Sequence, residues 1–129
     1  AFTRFLVSIG RKMKFDWMGY ESFDISRTIG KDHIWMDNDI KIKIINTSGH
    51  SAGSISMIID DEIAIVGDAM INTFGESIFP PFADDVPELF RSWEKLLTTD
   101  CRLFLPGHRP AVTRLLLEKQ FKKYQIAYP

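Results

Sequence analysis

The sequence has almost no cysteine and no long hydrophobic run. Its one cysteine, Cys101, excludes an internal disulfide and is typical of a reducing compartment, so we expect a cytoplasmic protein. No apolar stretch approaches the roughly 20 residues of a membrane-spanning helix, and we expect no signal peptide at the start of the chain. The net charge of −1 disfavours nucleic acid and anionic membranes, so neither is expected as a partner.

Repeats, low-complexity tracts and linker-like stretches are absent as well. With 129 residues, of which 45% are hydrophobic and 26% charged, the composition is that of an ordinary soluble domain. A chain of this length can bury a core of its own. We therefore predict a single domain over residues 1–129.

The hydrophobic pattern predicts three helices and four strands. Helices are predicted over about 2–14, over 85–98 and from Pro110 onward, and strands at 40–46, 54–59, 62–66 and 101–105. Asp85, with Glu88 three residues later, is a good N-cap for the second helix. The short turn at Asp60-Asp61 makes 54–66 a hairpin candidate. The order helix, three strands, helix, strand, helix predicts a mixed α/β layer architecture.

Two features of the first third of the chain need interpretation. The aromatic stretch at 15–23 has two interpretations. We favour the first, in which it forms part of a core or a surface for a partner, over the second, in which it is a loop that faces a substrate. His33 has no histidine or carboxylate at the spacing of a metal-binding motif. We therefore predict that His33 is a surface or loop histidine.

Three predicted strands end in the same way, with a chemically active side chain next to a glycine. His50, Asp68 and His108 each directly follow a glycine. Each alone is most simply a structural residue, such as a hydrogen-bonded histidine, a turn former or a helix cap. Together they stand at the carboxyl ends of strands, where α/β sheets place ligands. Histidine and aspartate also bind zinc or iron through nitrogen and oxygen, so we treat the three as a candidate metal site.

These three places also resemble the motifs of a known family. Residues 47–54 read TSGHSAGS and resemble the T-P-G-H-T-x-G-S motif of the metallo-β-lactamase superfamily. Residues 66–69 (VGDA) resemble its G-D motif, and residues 105–108 (LPGH) resemble its P-G-H-G motif. Order and intervals match, and the resemblance covers residues 40 to about 120, with the glyoxalase II-like and lactonase-like hydrolases nearest in character. The fold it implies is an αββα sandwich with a two-metal site at one edge of its two sheets.

The resemblance implies a role for each candidate metal ligand. His50 would complete a three-histidine first metal site, Asp68 would bridge the two metals, and His108 would ligate the second metal. The implied reaction is hydrolysis of an ester, thioester or lactone by metal-activated hydroxide. Zinc is the expected metal, with iron or manganese as alternatives.

Residues next to these ligands also receive roles from the resemblance. Three hydroxyl side chains are candidate hydrogen-bond partners of the metal ligands: Thr47, Ser51 and Ser54. Arg109 stands where the family has a glycine and is a candidate substrate contact.

The family's first motif, H-x-H-x-D-H, is missing from this sequence, which contains only three histidines. We therefore predict that the chain corresponds to the second half of the fold, and no catalytic acidic residue can be assigned in it. Because a zinc site usually has at least three protein ligands, we expect the chain alone to bind metal weakly or not at all. For the same reason we expect it to be weakly active or inactive without its missing half.

Three functions stay open at this point. We favour a part of a metal-dependent hydrolase; the alternatives are a non-catalytic, truncated interaction module and a diiron redox relative. In the family the first half supplies one of the two sheets, so the inner faces of the strands at 40–46 and 54–66 would be exposed. We therefore expect either a homodimer or association with an N-terminal half.

Overall fold

The computed structural model describes residues 24, 28–29, 32–73 and 77–127. The predicted helix at 2–14 and the aromatic stretch at 15–23 lie outside the described residues. The elements are β1 (His33–Asp37), β2 (Ile40–Asn46), β3 (Ile55–Ile59), β4 (Ile63–Gly67), α1 (Val86–Leu97), β5 (Leu103–Pro106), β6 (Val112–Thr113) and α2 (Arg114–Ala127). The strands form one sheet in the order β1-β2-β3-β4-β5-β6. All neighbouring strands are antiparallel except β4 and β5, which are parallel.

The β3–β4 hairpin confirms the prediction for residues 54–66. Asp60 and Asp61 have φ angles of 50° and 58°, and two left-handed residues in a row make the turn that suits the twist of a hairpin. The Asp60 carboxylate accepts a hydrogen bond of 2.8 Å from the backbone N–H of Lys41, and the Lys41 ammonium lies 2.7 Å from Asp61. The turn is therefore fastened to the neighbouring strand β2.

Helix α1 also begins and ends as predicted. The Asp85 side chain accepts a hydrogen bond of 2.9 Å from the backbone N–H of Glu88, and Thr98 is the C-cap. Only this half of the expected capping box forms, because the Glu88 carboxylate pairs with Arg91 instead. Trp93 of this helix is fully buried in the core, and its indole N–H donates a hydrogen bond of 2.7 Å to the carbonyl of Ala69.

The prediction for the end of the chain was wrong in its details. The last helix begins at Arg114 rather than near Pro110, because Val112 enters strand β6 and pairs with Phe104. Within this helix Leu115 is 76% exposed, whereas Leu117 is fully buried. The packed face of α2 includes a buried glutamine, Gln120, which the apolar pattern does not reveal.

Strand β1 was not predicted either. Its sequence, HIWMD, has no alternation of apolar and polar residues, and all five residues are exposed. A short turn through Asn38 and Asp39 joins it to β2, with Asn38 at a φ of 53°. A strand with no buried face leaves no periodic signal in its sequence.

The two faces of the sheet have different surroundings. The helices cover one face, where Ile45, Ile58, Ala64 and Phe104 are buried. The opposite face, which we call the open face, carries exposed apolar side chains: Trp35, Ile40, Ile55, Met57 and Ile65, each between 36% and 58% exposed. The expected exposure of one face of these strands is therefore seen in part, since Ile44 on the open face is only 7% exposed. In β2, Ile45 packs under the helices.

Cys101 gives a simple probe of the folded state. Its side chain is buried, and burial raises the pKa of the thiol, so both access and the thiolate fraction are reduced. We expect a thiol reagent such as DTNB to label the native protein at least ~100-fold more slowly than the protein in denaturant. Equal labelling rates would contradict the placement of Cys101 in the core.

No helix among the described residues is long and apolar enough to cross a membrane.

Candidate metal centre

The loop between β2 and β3 carries His50 and is closed by its own hydroxyl groups. The Thr47 hydroxyl lies 2.7 Å from that of Ser56, and the Thr47 N–H donates 2.9 Å to the carbonyl of Ser54. The hydroxyls of Ser51 and Ser54 lie 2.9 Å apart. Within the described residues, these three predicted partners of the metal ligands bond to the loop and to β3. Their role toward a metal ligand stays a prediction.

The same loop is fastened to the start of α1. The N–H groups of Asp84 and Asp85 donate to the carbonyls of His50 and Gly49, at 3.3 and 3.0 Å. Gly49 has a φ of 131°, and a Cβ added there would lie 2.4 Å from the backbone nitrogen and Cα of Leu89. A glycine is required because the loop and the helix backbone touch at this point.

A backbone carbonyl orients the imidazole of His50. Nδ1 lies 3.0 Å from the carbonyl oxygen of Phe82, and the two rings pack at a centroid distance of 4.8 Å. A carbonyl can only accept, so Nδ1 carries the proton and donates. In the neutral ring this leaves the lone pair on Nε2, which faces Asp68. The contact spans 32 positions of sequence, and sequence reasoning missed Phe82 because nothing local marks it.

Asp68 stands between the two histidines. Its Oδ2 lies 3.8 Å from His50 Nε2, and its Oδ1 lies 3.7 Å from His108 Nε2. Both distances are too long for a hydrogen bond. They are only slightly longer than the ~3.4 Å between two ligands that each lie ~2.1 Å from one tetrahedral ion. Oδ1 is buried and has no hydrogen-bond partner among the described residues, although a buried carboxylate oxygen normally has one.

The parallel pairing of β4 and β5 brings the last two residues together. Asp68 follows β4 and His108 follows β5, so both leave the sheet at the same edge. The Gly107 N–H donates 3.0 Å to the carbonyl of Gly67, and a Cβ at Gly107 would lie 3.0 Å from Asp68 Oδ1. A side chain at position 107 would therefore crowd the Asp68 carboxylate, and glycine avoids this contact.

His108 and Arg109 lie at the solvent side of the centre. The His108 side chain is 71% exposed, in contrast to 14% for His50. Arg109 is exposed and has a φ of 76°, the left-handed region that favours glycine. This backbone conformation accounts for the glycine that the family motif has here. A substrate contact by Arg109 stays a prediction.

The donor set fits a metal ion but does not complete its coordination. Two imidazole nitrogens face a carboxylate with an unsatisfied oxygen, which is nitrogen and oxygen chemistry suited to zinc, iron or manganese. Among the described residues, however, no group of three or more His, Cys, Asp or Glu side chains is arranged to hold an ion by itself. That His50, Asp68 and His108 are metal ligands stays a prediction.

Comparisons with known proteins identify the fold. No protein-family model matches the chain, and no curated protein matches it. Solved structures do: an archaeal metallo-beta-lactamase superfamily protein from Sulfolobus tokodaii is 17% identical, with a TM-score of 0.68 over 95% of this chain and 51% of that one. A metallo-beta-lactamase family protein from Thermus thermophilus is 15% identical, with a TM-score of 0.63 over 94% of this chain and 46% of that one. A metallo-beta-lactamase from Staphylococcus aureus is 18% identical, with a TM-score of 0.62 over 92% of this chain and 43% of that one. The chain thus spans about half the length of the structures it matches, which is consistent with the predicted second half of this fold.

Proposed function

We propose that this chain, which has the metallo-β-lactamase fold, supplies half of the metal site of a hydrolase that acts on an ester, thioester or lactone. The observation that carries the proposal is the Asp68 carboxylate. One of its oxygens faces His50, the other faces His108, and Oδ1 is buried without a hydrogen bond. A carboxylate oxygen in this position is satisfied once a cation binds it.

Each of the three residues has a defined part in this proposal. His50 offers Nε2, since the Phe82 carbonyl holds the proton on Nδ1. Asp68 offers one oxygen on each side, so it can contact two ions, and His108 offers Nε2 at the exposed side. When bound, such ions would lower the pKa of a water molecule and polarise the carbonyl of the substrate. The nitrogen and oxygen donors favour zinc and are also compatible with iron or manganese.

The remaining ligands have to come from elsewhere. The sequence has no H-x-H-x-D-H motif, and two histidines and one aspartate are too few for a closed two-metal site. We propose that an N-terminal half or another chain provides them. The chain alone should then bind metal weakly and have little or no hydrolytic activity.

A zinc titration tests whether these residues are ligands. Changing His50 or His108 to Ala, or Asp68 to Asn, should weaken zinc binding at least tenfold, because each change removes a donor or its charge. The measurement is isothermal titration calorimetry on the 129-residue chain, at zinc concentrations high enough to measure the weak binding expected of the chain alone. His33→Ala is the matched control, since His33 lies exposed on β1 and should leave binding unchanged. Equal affinities for all four variants and the wild type would contradict the proposal.

The open face favours one alternative, a non-catalytic interaction module. Monomers rarely expose so many apolar side chains on one face, and such a face marks a contact with another protein layer. Hydrolysis separates the two proposals. If a complex that contains this chain and its completing half hydrolyses activated esters, thioesters or lactones, and Asp68→Asn abolishes turnover, the enzyme proposal stands. Turnover that is unaffected by Asp68→Asn would favour the interaction module.

A further inference from the structure

Among the described residues, strand β1 is an edge of the sheet. Within the described residues it pairs only with β2, and all five of its residues are exposed. Ile34, Trp35 and Met36 are 57%, 58% and 56% exposed. Ile34 and Met36 point to the helix side of the sheet, opposite Lys43 and Lys41, so β1 lies beyond the cover of the helices. The strand therefore has apolar side chains without cover on both faces.

Three common protections of an edge strand against pairing are missing from β1. Edge strands are generally shielded by lysine, proline or a β-bulge. The sequence of β1 contains neither lysine nor proline, and its register with β2 is continuous from His33 to Asp37. An exposed, regular and apolar edge is a template for the addition of another strand.

We propose that β1 pairs antiparallel with β1 of a second copy of this chain, with the two-fold axis at Trp35. The sequence HIWMD complements itself in this register. His33 would lie opposite the partner's Asp37, Ile34 opposite the partner's Met36, and Trp35 opposite the partner's Trp35. Each copy would present a hydrogen-bond donor at one end and a carboxylate at the other, and apolar residues would meet in between.

The self-complementary order of side chains favours a second copy over an unrelated strand. Directly opposite residues share a face of an antiparallel pair, so a hydrogen bond between His33 and Asp37 and the contact of the two tryptophans would stabilise it. The two tryptophans would meet on the open face, and the Ile34–Met36 pairs would meet on the helix side. A shift of one residue would move every side chain to the other face and place Trp35 opposite a residue of a different kind. A two-fold interface of this type closes on itself, which gives a dimer rather than a fibre.

This inference is independent of the proposed metal site. None of the β1 residues belongs to the candidate centre formed by His50, Asp68 and His108. The dimer can therefore be absent while metal binding is present, and metal binding can be absent while the dimer is present.

Sedimentation velocity on the 129-residue chain tests the inference. The wild type should be a dimer at about 50 μM. His33→Glu places two carboxylates opposite each other at both ends of the paired strands, and we expect at least a tenfold weaker dimer. Adding Asp37→Lys to this variant reverses the pair and should restore the dimer. Trp35→Lys places two ammonium groups at the axis and should give a monomer.

Control variants separate this edge from other surfaces. Asp39→Lys makes the same charge change as Asp37→Lys just outside β1, and Ile55→Lys alters the open face outside β1. Both should leave the dimer unchanged. A monomeric wild type would overturn the inference. So would a dimer that tolerates Trp35→Lys and His33→Glu, or one that only Ile55→Lys disrupts.

Discussion

Replacing Gly49 with alanine is expected to destabilise the protein by about 4 kcal/mol or more. Two independent effects add up at this position. The φ of 131° lies outside the range that residues with a Cβ adopt, and the new Cβ would lie 2.4 Å from the backbone of Leu89. Since the neighbour is helix backbone rather than a flexible side chain, either the loop or α1 has to move. Such a movement would also displace His50.

Two other glycines provide a graded control for this prediction. Gly53→Ala should change the stability by less than ~1 kcal/mol, because no atom lies within 4 Å of the added Cβ. Gly67→Ala, at a φ of 53° with open space around it, should cost about 1 kcal/mol from the left-handed backbone alone. Urea denaturation followed by circular dichroism gives all three values. The close approach of loop and helix would be refuted if Gly49→Ala were no more harmful than Gly67→Ala.

Replacing Arg114 with alanine should be the next most damaging change, at about 3 kcal/mol. The Arg114 guanidinium donates to the carbonyls of Leu97, Thr99 and Cys101, at 2.7, 2.8 and 3.1 Å. It also donates 3.1 Å to the Glu118 carboxylate. These carbonyls include the end of α1 and the turn that leads into β5, so one side chain satisfies backbone groups that the helix end leaves unpaired. Removal of the side chain leaves part-buried acceptors without a donor.

Arg91→Ala is the matched control for this second prediction. Arg91 is 62% exposed and pairs only with Glu88 among the contacts described, an arrangement worth less than ~0.5 kcal/mol. Arg114→Lys should lie between the two alanine variants, because an ammonium cannot reach three carbonyls in the plane of a guanidinium. Thermal unfolding of the four proteins measures the series. Similar losses for Arg91→Ala and Arg114→Ala would show that the carbonyl network contributes little.

The elements with a strong local signal could be predicted from the sequence. The β3–β4 hairpin has alternating strands and a two-residue turn, and α1 has a clear cap at Asp85. Strand β1 lacks any periodic pattern because both its faces are exposed. Strand β6 is two residues long, and its Val112 fits a helical stripe equally well until the pairing with Phe104 is known.

In the candidate site, too, the features with a local sequence signal could be predicted, and those that depend on the tertiary fold could not. The motifs at His50, Asp68 and His108 locate the three side chains, and the parallel pairing of β4 with β5 brings two of them together. The Phe82 carbonyl, which fixes the tautomer of His50, comes from a loop 32 residues away and depends on the tertiary fold. The need for glycine at position 49 also follows from contact with α1 rather than from any turn signal.

Anomalous diffraction from zinc-soaked crystals tests most directly whether His50, Asp68 and His108 hold metal. Data collected on both sides of the zinc absorption edge locate the ion without reference to activity. We predict an anomalous peak at the Asp68 carboxylate, about 2.0–2.2 Å from one of its oxygens and from Nε2 of His50 or His108. Peaks confined to other places, such as the exposed His33, or no peak at Asp68 at saturating zinc, would contradict the assignment of these residues as metal ligands.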